Sequence, residues 1–163
     1  MNTLNAFAAI TLAALCGVAF AHGDKPRAAQ EIGHPKAGDM SFGRAADAKK
    51  AGRTIRIHMS DEMRFTPSQL TVRQGEVVRF EVANKGRVMH EMVLGAMDDL
   101  KKHAELMRKH AGMEHDGPHM AHVSPGRTGE IGWQFTRAGE FYYGCLIPGH
   151  FEAGMVGKVN VIP

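Results

Sequence analysis

The sequence from Arg53 to Pro163 predicts an all-β fold, an antiparallel sandwich of two sheets. Three observations carry that expectation. Apolar and polar residues alternate with period two over successive short runs. Gly, Pro and Asn separate those runs. About 110 residues is also enough chain to cover two facing sheets.

Taken in order, Thr54-Ile55-Arg56-Ile57-His58-Met59 alternates as a half-buried strand should, and Met63-Arg64-Phe65 before Thr66-Pro67 reads as a short edge segment and turn. Gln69 to Arg73 and Glu76 to Ala83 are two further strands, split by Gln74-Gly75. Asn84-Lys85-Gly86 marks a turn, and His90 to Gly95 the next strand. Gly129 to Thr136 and Gly139 to Cys145 are strands separated by Arg137-Ala138, and Val156 to Ile162 closes the domain. One segment breaks the pattern. Asp98-Asp99-Leu100 opens a helix through Lys109, with acids in its first turn and Arg108-Lys109 in its last. Leu100, Ala104, Met107 and Ala111 fall on one face of it. After Gly112 the chain reads as irregular and rich in His and Met up to Pro125, so residues of about 97–125 are expected to form an insertion.

Residues 1–21 carry no charged side chain, contain an apolar run from Ala6 to Phe20, and end in Ala19-Phe20-Ala21, an Ala-x-Ala cleavage signal. They are expected to be a secretory signal peptide, which places the mature protein in the periplasm. Residues 22–52 are rich in Ala, Gly, Lys and Asp with no apolar period, and are expected to be a flexible segment apart from a brief helical turn between Phe42 and Gly52. The domain proper is then 53–163. A net charge of +3 without any Lys/Arg block excludes a nucleic-acid surface. Cleavage removes Cys16 and leaves Cys145 as the single cysteine, so no internal disulfide forms.

That cysteine opens the most telling motif. Cys145, His150 and Met155 follow a Cys-x4-His-x4-Met spacing on one loop that also carries Pro148, Gly149 and Gly154. His90, at the start of a strand, supplies a second imidazole. Two imidazoles and a thiolate with a weak thioether make the donor set that selects copper and supports its cycling between Cu(I) and Cu(II). The glycines allow tight turns, and the proline stiffens the loop so that its donors converge.

With those residues in view, the stretch from Arg53 onward resembles the cupredoxins, the type 1 or blue copper family of plastocyanin, azurin, rusticyanin and auracyanin. The loop length is similar to that of rusticyanin and auracyanin. Gly139-Glu140-Phe141-Tyr142-Tyr143-Gly144-Cys145 resembles the family's entry into the cysteine loop, and Phe65-Thr66-Pro67 and Val72-x-x-Gly75-Glu76-x-Val78 its early strands. Met89-His90-Glu91-Met92-Val93-Leu94-Gly95 is similar to periplasmic copper-resistance cupredoxins of the CopI type. The resemblance implies a Greek-key sandwich with a helical Met/His-rich insertion, and His90, Cys145, His150 and Met155 as ligands of one copper. One position departs from the pattern. Many electron carriers of the family place Asn directly after the first ligand histidine, where this chain has Glu91, and Asn84 lies too early to take its place.

A second constellation occupies the insertion. His103, Met107, His110, Met113, His115, His119, Met120 and His122 are eight donors within twenty residues. His103, Met107 and His110 would share one helix face. Thioethers favour Cu(I) and imidazoles accept either state, so the tract is a candidate for secondary copper binding. His22, exposed by cleavage, would chelate Cu(II) through its α-amine and ring.

The expected role is copper tolerance in the periplasm. The alternative is a soluble one-electron carrier that meets a cytochrome or other envelope redox protein through the apolar residues Leu146, Ile147, Pro148 and Phe151 around His150. An enzyme is not expected, because multicopper oxidases need further domains and His-x-His pairs, and the chain has none.

Overall fold

Strand pairing starts earlier than the alternation suggests. The computed structural model describes residues 39–110 and 116–163; the expected signal peptide, residues 22–38 and the stretch 111–115 lie outside them, and with them His22, Met113 and His115. The first elements are β1 (Asp39–Met40) and β2 (Gly43–Ala45), followed by a 3-10 turn at Ala48–Lys50. The turn agrees with the sequence reading. The strands correct the expectation that everything before Arg53 is a flexible lead-in. β2 pairs with Trp133 to Phe135, and Phe42 is buried, its ring 5.0 Å from Phe141 and 5.3 Å from Trp133. Strands of two and three residues are too short to show a period, but one buried aromatic ring anchors them.

The chain continues through β3 (Arg53–Ser60), β4 (Arg64–Thr66), β5 (Gln69–Arg73), β6 (Val77–Asn84), β7 (His90–Gly95), α1 (Met97–Lys109), β8 (Met120–Val123), β9 (Thr128–Phe135), β10 (Gly139–Gly144) and β11 (Val156–Ile162). One sheet has the order β1-β2-β9-β6-β3-β4 and the other β5-β11-β10-β7-β8. Alternate residues of β3, β5, β6, β9 and β11 are buried between the sheets, as period-two patterning requires. Trp133, Tyr143, Phe42, Phe80 and Phe135 are the largest fully buried side chains of that core.

Three expectations need correction. The sandwich is not purely antiparallel, because β3 pairs with β6 and β5 with β11 in parallel. Such pairs arise when the chain crosses between sheets, which local alternation does not encode. Nor is the tract before Pro125 irregular throughout, because Met120 to Val123 form β8, an antiparallel edge strand on β7. Leu146, expected on an apolar surface, is fully buried.

β7 is buried at every position. Met92 and Leu94 face the core between the sheets, while Val93 packs with Leu100 and Ala104 of α1, Met120 and Leu146 in a second apolar cluster. The helix therefore covers the outer face of this sheet. Covered on both sides, β7 reads as a continuous run rather than an alternating one. Burying Leu100 alone contributes about 1.5–3 kcal/mol. Of the predicted apolar face, Leu100 and Ala104 are buried, Met107 is half-buried and Ala111 lies outside the described residues.

Candidate metal centre

The site forms where β7 begins and β10 ends. His90 follows a loop that two side chains hold in shape. Asn84, buried at the end of β6, donates through its amide to the carbonyls of Val88 and Val123, each at 2.8 Å, and accepts the Gly86 N–H at 2.8 Å. Asp61, in the turn between β3 and β4, accepts the Arg87 N–H at 2.8 Å and the Val88 N–H at 3.3 Å. The Arg87 N–H is the main reason its carboxyl sits below the usual carboxylate range. The same carboxylate lies 3.3 Å from His90 Nε2. A carboxylate only accepts, so Nε2 carries the ring proton and Nδ1 keeps its lone pair. His90 is fully buried, and Nδ1 has no hydrogen-bond partner. A buried, orphaned imidazole lone pair requires an explanation, and a metal ion supplies one.

The cysteine loop closes on itself. The Cys145 N–H donates to Met155 O at 3.1 Å, the Met155 N–H to His150 O at 3.1 Å, and the His150 N–H to Ile147 O at 2.9 Å. Gly149 adopts φ 89°, a left-handed turn that a side chain would strain, and its N–H donates to the Glu152 carboxylate at 3.1 Å. Arg64, from β4, braces the loop from outside by donating to Ala153 O at 2.9 Å. This backbone pairing sets Met155, fully buried, beside Cys145 and His150.

Within this frame the donor atoms of His90, Cys145 and His150 all lie within 4.8 Å of one another, the one such group of His, Cys, Asp or Glu among the described residues. Cys145 Sγ is 3.3 Å from His150 Nδ1, and the two histidine rings are 5.0 Å apart. Burial pushes the Cys145 thiol up to about 12, partly offset by the N–H groups of Glu91 and Ile147. His150 is lowered, first by burial and then by His90. Three soft or borderline donors converge, and these residues fit a copper ion.

Glu91 does more than occupy an unusual position. Its N–H points at Cys145 Sγ at 3.5 Å, and its carboxylate accepts the Leu146 N–H at 2.8 Å. The other carboxylate oxygen lies 3.3 Å from His122 Nδ1. One buried side chain thus ties the strand of the first histidine to the loop of the cysteine. Asn84 ties the β6–β7 loop to β8 instead.

Among the described residues, no three His, Cys, Asp or Glu of the insertion form a group that could hold a metal ion. His122 pairs with Glu91, and Met120 is buried in the second apolar cluster. His103 and His119 are half-buried, Met107 is half-buried on the helix, and His110 is exposed at its end. The sequence reading missed Asp61 altogether: a turn aspartate three positions from Arg64 carries no signal of its own, because its partner is twenty-nine residues away.

The comparisons with known proteins agree with this geometry. The chain is 56% identical over 128 residues to a protein of Rubrivivax gelatinosus named copper-resistant cuproprotein CopI, covering 78% of each chain. It is 34% identical to a protein of the same name from Pseudomonas aeruginosa, covering 76% of this chain and 84% of that one. Among solved structures it is similar to auracyanin B, with a TM-score of 0.61 at 23% identity, covering 78% of this chain and 97% of the other, which speaks for the fold. Residues 51–162 match the family described as copper binding proteins, plastocyanin/azurin family. The sandwich, the converging imidazoles and thiol, and this match over most of the chain lead to one conclusion: the chain belongs to the plastocyanin/azurin family of copper-binding proteins.

Proposed function

We propose that this protein binds one copper in the periplasm through His90, Cys145 and His150, with Met155 as a weak fourth ligand, and that it serves copper tolerance. The observation that carries the reading is the convergence of the three donor atoms within 4.8 Å around a buried His90 Nδ1 that has no other partner. The relatives named copper-resistant cuproproteins support the role in tolerance. The leader-like residues 1–21 support the periplasm.

When bound, copper supplies a one-electron Cu(II)/Cu(I) couple. The residues of the chain do the rest. Asp61 holds the His90 ring with Nδ1 turned to the site, Cys145 surrenders its proton on loading, and Glu91 keeps the cysteine loop against β7. The family and the relatives named cuproproteins support a role in binding copper rather than in catalysis.

The test is growth on copper of a strain lacking the gene, complemented by the wild type or by Cys145→Ala. Restored growth with the wild type alone supports the reading; equal tolerance in all strains overturns it. The purified wild type should show one copper with an intense thiolate charge-transfer band. A second reading, the one-electron carrier, draws on Val88 and Met89, which are 44% and 46% exposed beside His90, and on the exposed Pro148 beside His150. Rapid electron exchange with an envelope cytochrome, lost on Met89→Lys, would favour it.

A further inference from the structure

Glu91 places a charge where an uncharged amide would make the same hydrogen bond. It is 1% exposed and lies on the face of β7 opposite His90, beside Val93. Val93 packs there with Leu100, Ala104, Met120 and Leu146 in an apolar cluster, two of whose members come from α1. A negative charge in such surroundings is weakly screened and acts strongly on its neighbours.

The neighbour that matters is the cysteine. The Glu91 N–H points at Cys145 Sγ at 3.5 Å, and one carboxylate oxygen accepts the N–H of Leu146, the next residue, at 2.8 Å. One glutamate is thus joined to the cysteine segment twice, backbone to sulfur and side chain to the following amide. The thiol registers the charge as well. Burial is the main cause of its upward shift, and the Glu91 carboxylate adds to it. The other oxygen faces His122 Nδ1 at 3.3 Å, from a side chain 37% exposed on the edge strand β8.

We infer that the Glu91 carboxylate sets the redox preference of the copper centre, holding it towards Cu(II) relative to an uncharged side chain at the same position. The inference rests on His90, Cys145 and His150 being the copper site, and deepens that reading. Reduction there takes one electron from an outer-sphere one-electron donor, converts Cu(II) to Cu(I) and breaks no bond to the ligands. The site loses one positive charge, so a fixed negative charge beside the sulfur opposes the change. The backbone N–H of Glu91 works the other way, drawing charge from the sulfur, but every residue at this position would supply it. The Leu146 N–H needs only an oxygen, which Gln also carries. What glutamate alone adds is the charge.

The experiment is a redox titration of the full mature chain loaded with copper, followed by the thiolate charge-transfer band, which only a centre containing Cys145 can give. Glu91→Gln keeps an acceptor for Leu146 and removes the charge. Its preference for Cu(II) over Cu(I) should fall about 10- to 100-fold, a rise in potential of about 59 mV for each tenfold. Amide exchange at Leu146 should stay slow, as it would not if the loop had moved. His122→Lys leaves Glu91 in place and sets a fixed cation beside its other oxygen. The potential should rise there too, but by less, because that side chain is partly exposed. An unchanged or lowered potential in Glu91→Gln, with Leu146 still protected, would overturn the inference. Should Glu91→Gln fail to fold or lose that protection, His122→Lys decides alone, and an unchanged or lowered potential in it is the contrary result. Failure of the main centre would show instead as a wild type without the charge-transfer band.

Discussion

Replacing Glu91 with Ala removes the acceptor that holds the Leu146 N–H at 2.8 Å and leaves that donor buried, since Leu146 is fully inaccessible. An orphaned buried N–H costs about 1–3 kcal/mol. The pairing with His122, whose side chain is 37% exposed, contributes about 0–1 kcal/mol more. Release of a buried carboxylate from a poorly solvating site works in the opposite direction, so a net loss of about 2 kcal/mol is expected for Glu91→Ala. Glu91→Gln retains an oxygen for Leu146 and a group of the same shape, and should lose less than about 1 kcal/mol. The comparison isolates the acceptor from the charge. Urea unfolding of the metal-free protein, followed by intrinsic fluorescence of Trp133, measures both variants at constant slope. The two should separate by about 1 kcal/mol or more. Equal midpoints for Ala and Gln would mean that the Leu146 N–H has another partner and that Glu91 is not the tie between β7 and the cysteine loop.

Three further outcomes follow from the same geometry. The Cys145 thiol is raised to about 12 from 9.0, so the folded metal-free protein holds this proton more tightly than the unfolded chain. The stabilisation is fully present below about pH 9 and is lost between there and about pH 12, at up to about 1.4 kcal/mol per pH unit. Tyr143, also raised by burial, adds a later loss in the same direction. Cys145→Ala should remove the part that starts near pH 9 in alkaline unfolding curves, and an identical slope in that variant would count against a buried thiol. Asp61→Ala frees the Nε2 proton of His90 and should lower copper affinity about 10- to 100-fold in chelator competition; unchanged affinity with an unchanged ring tautomer would rule out the carboxylate as the orienting group. Phe42→Ala should cost about 3–5 kcal/mol, because its ring lies against Trp133, Phe135 and Phe141; a chain begun at Arg53 that unfolds at the wild-type urea concentration would show that β1 and β2 are dispensable.

What the sequence revealed and what it hid divide along one physical line. β5, β7 and β11 begin and end where turn residues and alternation place them, at Gln69–Arg73, His90–Gly95 and Val156–Ile162. α1 starts one residue before its predicted acids and ends at the predicted Lys109. These features are local, written in the period and the breakers. β1, β2 and β8 escaped because two to four residues carry no period, and the parallel pairs escaped because register between distant strands is set by the core, not by either strand. The site shows the same division. Cys145, His150 and Met155 announce themselves through spacing within eleven residues, and His90 through its place before a strand. Asp61 and the bond from Glu91 to Leu146 span twenty-nine and fifty-five residues and have no local mark.

The insertion can be weighed on the same grounds. Successive residues of a strand face opposite sides, so His90 and Glu91 serve different layers of the molecule. His90 joins Cys145 and His150, while Glu91 holds the backbone of Leu146. The side chain of Leu146 packs with Leu100 and Ala104 of α1 and with Val93 of β7. The residue that directly follows the thiol is therefore clasped twice, by a carboxylate on its N–H and by the helix on its side chain. Without α1 the outer face of β7 would lie open to water, and a buried carboxylate–amide bond would become a solvent-exposed one that contributes far less. The helix is thus part of the frame around the cysteine. A single amphipathic element can give that support because Leu100 and Ala104 point inward while its charged residues stay exposed.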